Sequence, residues 1–373
     1  MTARGGRTPL PELARLFLKL GTIGFGGPAA HIAMMEDEVV RRRAWLTREE
    51  FLDLVGAVNL IPGPNSTEIA IHVGLARAGW RGLLVAGSCF ILPATLIVGA
   101  IAWAYLRFGT LPAAAGLLYG VKPVVIAVVL QALWGLGRTA VKSWWLAALG
   151  IAAIVATAAG VNELLVLGVA AALGIAWRTR RGAALGVFVG GGVAGAPVAL
   201  GLWPLFGVFL KVGAVLFGSG YVLLAFLRAD LVQRLHWLTE HQLLDAVAVG
   251  QVTPGPVFTT ATFVGYVLHG PSGAAVATVG IFLPAFVYVA LSGAILPRLS
   301  RSPAARAALD GINVASLALM VVVTWQLAGA ALVDVWAVGV AVAAALALLR
   351  YRVNSAWLVL GGAAVGLAVH ALG

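Results

Sequence analysis

The sequence predicts an all-α polytopic membrane protein built from two inverted-topology copies of one repeat. Three observations predict it: composition, an internal repeat, and the way basic residues change sides between the copies. Hydrophobic residues make up 61% of the 373 residues and charged residues 10%, and the mean hydropathy is +0.99. A soluble domain needs more charge to cover its surface, so the bilayer is the natural solvent for this chain. The 47 glycines suit helices packed closely in lipid. The net charge of +11 sits in short clusters between apolar stretches, such as Arg178, Arg180 and Arg181. That is the loop pattern of a membrane protein and excludes a phosphate-binding stripe for nucleic acid. The single cysteine, Cys89, excludes an intrachain disulfide and a cysteine metal site. Arg15 and Lys19 interrupt the first apolar stretch, so no cleavable leader is expected there.

The repeat is read directly. Lys19 to Gly26 (KLGTIGFG) returns as Lys211 to Gly218 (KVGAVLFG), at an offset of 192. Without a gap, Trp45-Leu46-Thr47 then meets Trp237-Leu238-Thr239, Asp53 meets Asp245, and Pro62-Gly63-Pro64 meets Pro254-Gly255-Pro256. The offset then becomes 191, pairing Pro93 with Pro284, Gly120 with Gly311 and Trp134 with Trp325. The expected domains are a first repeat at 1–180 with a cytoplasmic N-terminus, a linker transmembrane helix at 181–203, and an inverted second repeat at 204–373.

The inversion follows from the junctions. Arg77 and Arg81 correspond to a junction at His269 with no Lys or Arg. The junction holding only Arg107 corresponds to one holding Arg298, Arg301 and Arg306, and that of Arg138 and Lys142 to one near Asp334 without a basic residue. Because basic residues mark the cytoplasmic side, the copies should lie antiparallel. Each copy is expected to begin with two segments broken at glycine and proline, followed by about four spans: near 80–106, 112–138, 143–159 and 161–177, then 271–296, 304–328, 331–349 and 354–372. The breaks fall at Gly24 to Pro28 and at Pro62 to Pro64, with counterparts in the second copy. Re-entrant hairpins keep the cluster Arg41, Arg42, Arg43 and Arg48 inside and give about nine crossings, whereas full crossings would give about thirteen.

A broken helix exposes backbone N–H groups at the start of its second half, and these carry partial positive charge and bond anions. Four breaks converging near the midplane would make an anion site with few charged side chains. The residues opening the half-helices are Gly26, Gly27, Pro28 and Ala29; Asn65, Ser66, Thr67 and Glu68; Gly218, Ser219, Gly220 and Tyr221; and Val257, Phe258, Thr259 and Thr260. Glycine lets the backbone approach a ligand, and the hydroxyls can donate to oxygen. The competing reading is that glycine and proline only kink packed helices.

Lys19 and Lys211 are equivalent and lie about a turn before a break; they either attract the anion or pair with a carboxylate. Glu68 is a proton-coupling candidate, or a helix N-terminal carboxylate served by backbone N–H groups. Asp53 and Asp245 read as partners of a basic residue ahead of a part in transport chemistry, and His31 and His72 either line the site or, as a lone histidine in such a helix more often does, pack. No Gly-x-Ser-x-Gly, phosphate-binding loop or His-Glu-x-x-His occurs, which argues against an enzyme or a nucleotide-driven pump. No cofactor or metal is expected.

These motifs resemble the two-domain members of the chromate ion transporter family. The resemblance is carried by Phe17 to Pro28 (FLKLGTIGFGGP), Trp45-Leu46-Thr47 and Pro62-Gly63-Pro64, and by their second-copy versions at 209–220, 237–239 and 254–256. It covers almost the whole chain; Gly218-Ser219-Gly220 departs from Gly26-Gly27-Pro28. It implies two homologous domains of opposite topology in the inner membrane, exporting chromate from the cytoplasm on the membrane potential or a proton gradient. Sulfate, another tetrahedral dianion, is the natural competitor. An anion channel of the same fold is the alternative reading, and a homodimer a further expectation.

Overall fold

The computed structural model describes residues 7–109, 111–179, 199–217, 220–351 and 353–372, and among these every regular element is a helix. The expected linker helix lies almost entirely outside the described residues. In the first copy, α1 (Leu10–Ile23) is followed by α2 (Gly27–Glu36), which widens into a π-helical turn, Asp37–Arg42. Then come α3 (Arg48–Val58), α4 (Asn65–Phe108), α5 (Pro112–Ala140), α6 (Trp144–Ala158) and α7 (Glu163–Thr179). In the second copy, α8 (Leu202–Val215) precedes a helical run made of a 3₁₀ turn (Gly220–Val222), α9 (Leu223–Leu227) and a π-helical turn (Arg228–Arg234). It continues with α10 (Glu240–Val252), a 3₁₀ turn (Val257–Thr259), α11 (Thr260–Arg301), α12 (Pro303–Ala331), α13 (Val335–Tyr351) and α14 (Ser355–Leu372).

The same local chemistry shapes both copies. Thr47 caps α3 and Glu50 reaches back to it; Thr239 and Gln242 do the same for α10. Both long helices break once. Ala78 and Gly79 (φ +62°) leave helical geometry inside α4, and His269 and Gly270 (φ +62°) inside α11. The arms then fold back on each other, because Gly74 and Gly82, like Gly265 and Gly273, leave no room for a Cβ between the backbones. The spans expected from about 80 and 271 therefore start at these breaks.

The broken segments also double back. Lys19 Nζ lies 2.7 Å from Glu38 Oε1, and Arg43 Nε 3.8 Å from Glu12 Oε1. His31 Nε2 is 2.8 Å from the Gly24 carbonyl. These pairs place α2 antiparallel beside α1. Across the next break, the Asn65 amide donates to Asn59 Oδ1 at 2.6 Å, and the Arg77 guanidinium lies 5.5 Å from the Trp45 ring, placing the start of α4 beside α3. In the second copy Lys211 pairs with Asp230 across the corresponding turn.

The two copies interlock. α5 packs on α13 and α14, and α12 on α6 and α7. Backbone proximity makes these crossings: a Cβ on Gly120 would strike the Gly362 carbonyl, and one on Gly311 that of Ala170. Without glycine there, the helices could not approach this closely. At the centre α4 packs on α11, and two equivalent hydrogen bonds join the copies. The Gly63 N–H donates to the Leu216 carbonyl at 2.8 Å, and the Gly255 N–H to the Gly24 carbonyl at 2.8 Å. Donors and acceptors are related by the same offset of 192, as an isologous contact requires.

Among the described residues four helices are long and apolar enough to cross a membrane: Asn65–Phe108, Ala113–Ala140, Val257–Gly293 and Pro303–Ala331. Shorter apolar helices, Trp144–Ala158, Leu202–Val215, Val335–Tyr351 and Ser355–Ala371, accompany them. Large apolar side chains face outward, including the equivalent Trp134 and Trp325, as a lipid-facing surface requires. The chain is a multi-pass membrane protein.

Candidate functional site

The four breaks meet at one cavity. Gly26 and Pro28 reach it from the first break, Pro64, Asn65 and Ser66 from the second, Gly220 and Tyr221 from the third, and Pro256, Val257 and Phe258 from the fourth. Its volume is about 670 Å³, ample for a small hydrated anion. The sequence explains how the chain can turn there. Gly26 and Gly27 sit at φ +104° and +75°, Gly63 at +138° and Gly255 at +89°, all conformations that glycine adopts without strain. Proline flanks the turns of the first, second and fourth breaks and suits the first helical turn, where no N–H partner is needed. α2 and α4 therefore present the N–H groups of their first turns toward the cavity.

Two further helices complete the wall. The C-terminal end of α5 contributes Thr139 and, just beyond it, Lys142; the first half of α12 contributes Asp310, Asn313 and Ser316. Lys142 Nζ and Asp310 Oδ1 are 2.8 Å apart, and the Lys142 side chain stays exposed at the mouth. The wall thus combines the amides of Asn59, Asn65 and Asn313 with the hydroxyls of Ser66, Ser316 and Tyr221 and with backbone N–H groups. Such a wall donates hydrogen bonds generously while carrying one balanced ion pair. It can hold an oxyanion by hydrogen bonding and by the fixed dipoles of the helices.

Of the residues expected from sequence, Gly26, Pro28, Asn65, Ser66 and Gly220 line the cavity. Gly27 borders it, with the Tyr221 hydroxyl 4.0 Å from the position a Cβ would take. Gly218 and Ser219 lie outside the described residues. Thr259 and Thr260 turn away from it: their hydroxyls donate to the Pro256 and Val257 carbonyls, each at 2.8 Å, and both side chains are fully buried. Lys19 sits with Glu38 near the base of its hairpin. Lys211 sits with Asp230 and, at 3.6 Å, with Glu163. Neither lysine lines the cavity. Thr67 and Glu68 lie one step behind Ser66, fully buried, and neither the Thr67 hydroxyl nor the Glu68 carboxyl meets a hydrogen-bond partner among the described residues. Glu68 packs so closely under Gly63 that a Cβ there would strike its carboxyl.

The sequence reading missed Lys142, Asp310, Asn59, Asn313 and Ser316. A signal for some of them was present in the repeat itself. Asn313 aligns with Lys122, and Asp310 with Tyr119, so the copies carry different polar groups where their apolar residues agree. On the other face, Tyr119 donates to Asp334 at 2.6 and 2.7 Å. That hydrogen bond, with one from the Ala337 N–H, holds the Asp334 carboxyl below the usual carboxylate range.

Broken helices meeting at a polar cavity inside a helical membrane protein are the plan of many transporters. The chromate transporter family model matches residues 11–175 and 203–367, and the chain belongs to that family. It is 32% identical over 381 residues to a chromate transport protein of Cupriavidus metallidurans, covering 97% of this chain and 94% of that one. It is 33% identical over 339 residues to a chromate transport protein of Pseudomonas aeruginosa, covering 85% of this chain and 81% of that one. An uncharacterized transporter of Bacillus subtilis is 32% identical over 127 residues, which is 34% of this chain and 71% of its own length. No solved structure matches.

Proposed function

We propose that the protein exports chromate from the cytoplasm across the inner membrane, binding it in the cavity where the four breaks meet. The convergence of the breaks carries this reading. A tetrahedral dianion presents four oxygens, and the wall offers amide, hydroxyl and backbone donors around it. The reciprocal bonds of Gly63 and Gly255, the antiparallel hairpins and the reversed basic junctions support two inverted copies working by alternating access. In that orientation Lys142 and Asp310 mark the cytoplasmic mouth.

A carrier fits better than an open channel. Beyond the cavity the buried Leu223, Leu224, Leu319 and Met320 fill the protein core. Glu68, buried behind Ser66 with no hydrogen-bond partner among the described residues, is the proposed proton-coupling group. Sulfate shares the charge and shape of chromate and is the expected competitor.

The test is chromate accumulation. Cells expressing the protein should accumulate less chromate than cells without it. Asn65→Leu, which replaces a donor in the wall by an apolar group of similar size, should remove the difference while the protein still reaches the membrane. Equal accumulation with and without the wild-type protein overturns the chromate assignment.

A further inference from the structure

We infer that a second, collapsed substrate vestibule lies on the face opposite the cavity, and that Lys122 is its latent anion-facing cation, held out of use by Asp245. The inference rests on the alternating-access reading above. Its starting point is an asymmetry between equivalent parts of the two copies.

A smaller cavity, about 320 Å³, notches the protein along α12 from Leu319 to Gln326 and beside Arg228. It lies roughly 13 Å further along α12 than the wall residues of the main cavity, at 1.5 Å per residue. Val323 and Gln326 line it, and these align with Ala132 and Gly135 of α5, which line the main cavity. The smaller cavity thus shares two aligned positions with the main one, while Lys122 and Gln251, the counterparts of Asn313 and Asn59, lie outside its lining.

The groups equivalent to the remaining main-wall residues are present but engaged. Asn313 of the main wall corresponds to Lys122, and Asn59 to Gln251. Lys122 Nζ lies 3.2 Å from Asp245 Oδ1, and the Tyr105 hydroxyl donates to Asp245 Oδ2 at 3.0 Å. These contacts tie α10 to α4 and α5 of the other copy. Gln251 is buried, and its amide nitrogen has no partner among the described residues, as expected of a wall group sealed away from its ligand.

The open side shows the same parts released. Asp53, the equivalent of Asp245, is exposed, and Asn313 faces the cavity. α10 packs on α5, α12 and α14 besides α11, whereas α3 packs chiefly on α4. One hairpin is clamped to the interlocked helices, whereas α3 of its counterpart packs little on them. Exchange of those two conformations would close α3 over the main cavity, release Asp245 and leave Lys122 facing the opposite side. The charge cost of baring Lys122 is then met by the substrate dianion.

Thiol labelling in membrane vesicles tests this, using Cys89→Ser as the parent and a charged, membrane-impermeant methanethiosulfonate as the probe. Asn59→Cys should label from the cytoplasmic face, and Gln251→Cys only slowly from the opposite face. Adding Asp245→Asn should speed the Gln251→Cys reaction roughly tenfold, as expected when a closed state loses one of its latches, and slow that of Asn59→Cys. Lys122→Gln removes the same ion pair from the other side and should act likewise, which covers the case that one variant folds poorly. If Asn59→Cys labels normally and Gln251→Cys stays closed in both variants, Lys122 and Asp245 form a static pair and the inference falls while the cavity reading stands. If Asn59→Cys does not label at all, the cavity reading falls and takes the inference with it.

Discussion

The Gly63 N–H donates to the Leu216 carbonyl at 2.8 Å, joining the second break of one copy to the first break of the other. Gly255 and Gly24 repeat the bond in reverse. Each turn at the cavity is therefore held by backbone of the opposite copy, so the site exists only where both copies are in place.

This makes Gly63 a sensitive position. Its φ of +138° strains any side chain, and a Cβ would press on the Glu68 carboxyl. Gly63→Ala should destabilise the protein by about 1–3 kcal/mol and reduce transport. A detergent melting curve read beside a chromate uptake assay checks both, and an unshifted melting temperature with full transport contradicts the role given to this turn.

The helix crossings allow a cleaner stability test. Gly120 meets the Gly362 backbone, while Gly99 has nothing within 4 Å. Gly120→Ala should cost about 1–3 kcal/mol through overpacking, and Gly99→Ala should stay within roughly 0.5 kcal/mol of the parent. Equal melting temperatures for the two variants would show that the interlock of α5 with α14 contributes little.

Lys142 and Asp310 govern the mouth. One unit charge near a dianion in a wet opening is worth on the order of 1 kcal/mol, so Lys142→Gln should weaken chromate binding about fivefold. The loss should shrink at high salt, because exposed charges are screened. Asp310→Asn, which leaves Lys142 unbalanced, should strengthen binding by a similar factor. Titration of purified protein with chromate at low and high salt reads both signs.

Much of this was legible in the sequence because glycine and proline leave few choices. Gly24 to Pro28 and Pro62 to Pro64 must stop helices, and the structure turns at both. The span starts near 80 and 271 were also visible, since Gly79 and Gly270 are the residues that take the non-helical turns. What was not legible is which helix meets which. Apolar helices in lipid carry no amphipathic stripe to name a partner, so the crossing of α5 onto α14 and of α12 onto α7 could not be read from periodicity. That crossing delivers Lys142, Asp310 and Asn313 to the cavity. Nor could spacing separate Ser66, which lines the wall, from Thr259 and Thr260, whose hydroxyls bond back to their own turn.

Glu68 carries the prediction that separates proton-coupled transport from other modes. Its carboxyl is fully buried and meets no hydrogen-bond partner among the described residues, two residues past the wall residue Ser66. Glu68→Gln keeps the size and the hydrogen-bonding ability of the protonated acid while removing the site that binds and releases a proton. Chromate binding should then persist within a few fold. Flux into vesicles should lose its response to an imposed pH gradient. Glu68→Leu should disturb packing under Gly63 as well, so the Gln variant is the informative one. A Gln variant whose flux still rises with the gradient would place the coupling elsewhere; one that neither binds nor transports would instead make Glu68 part of the binding structure.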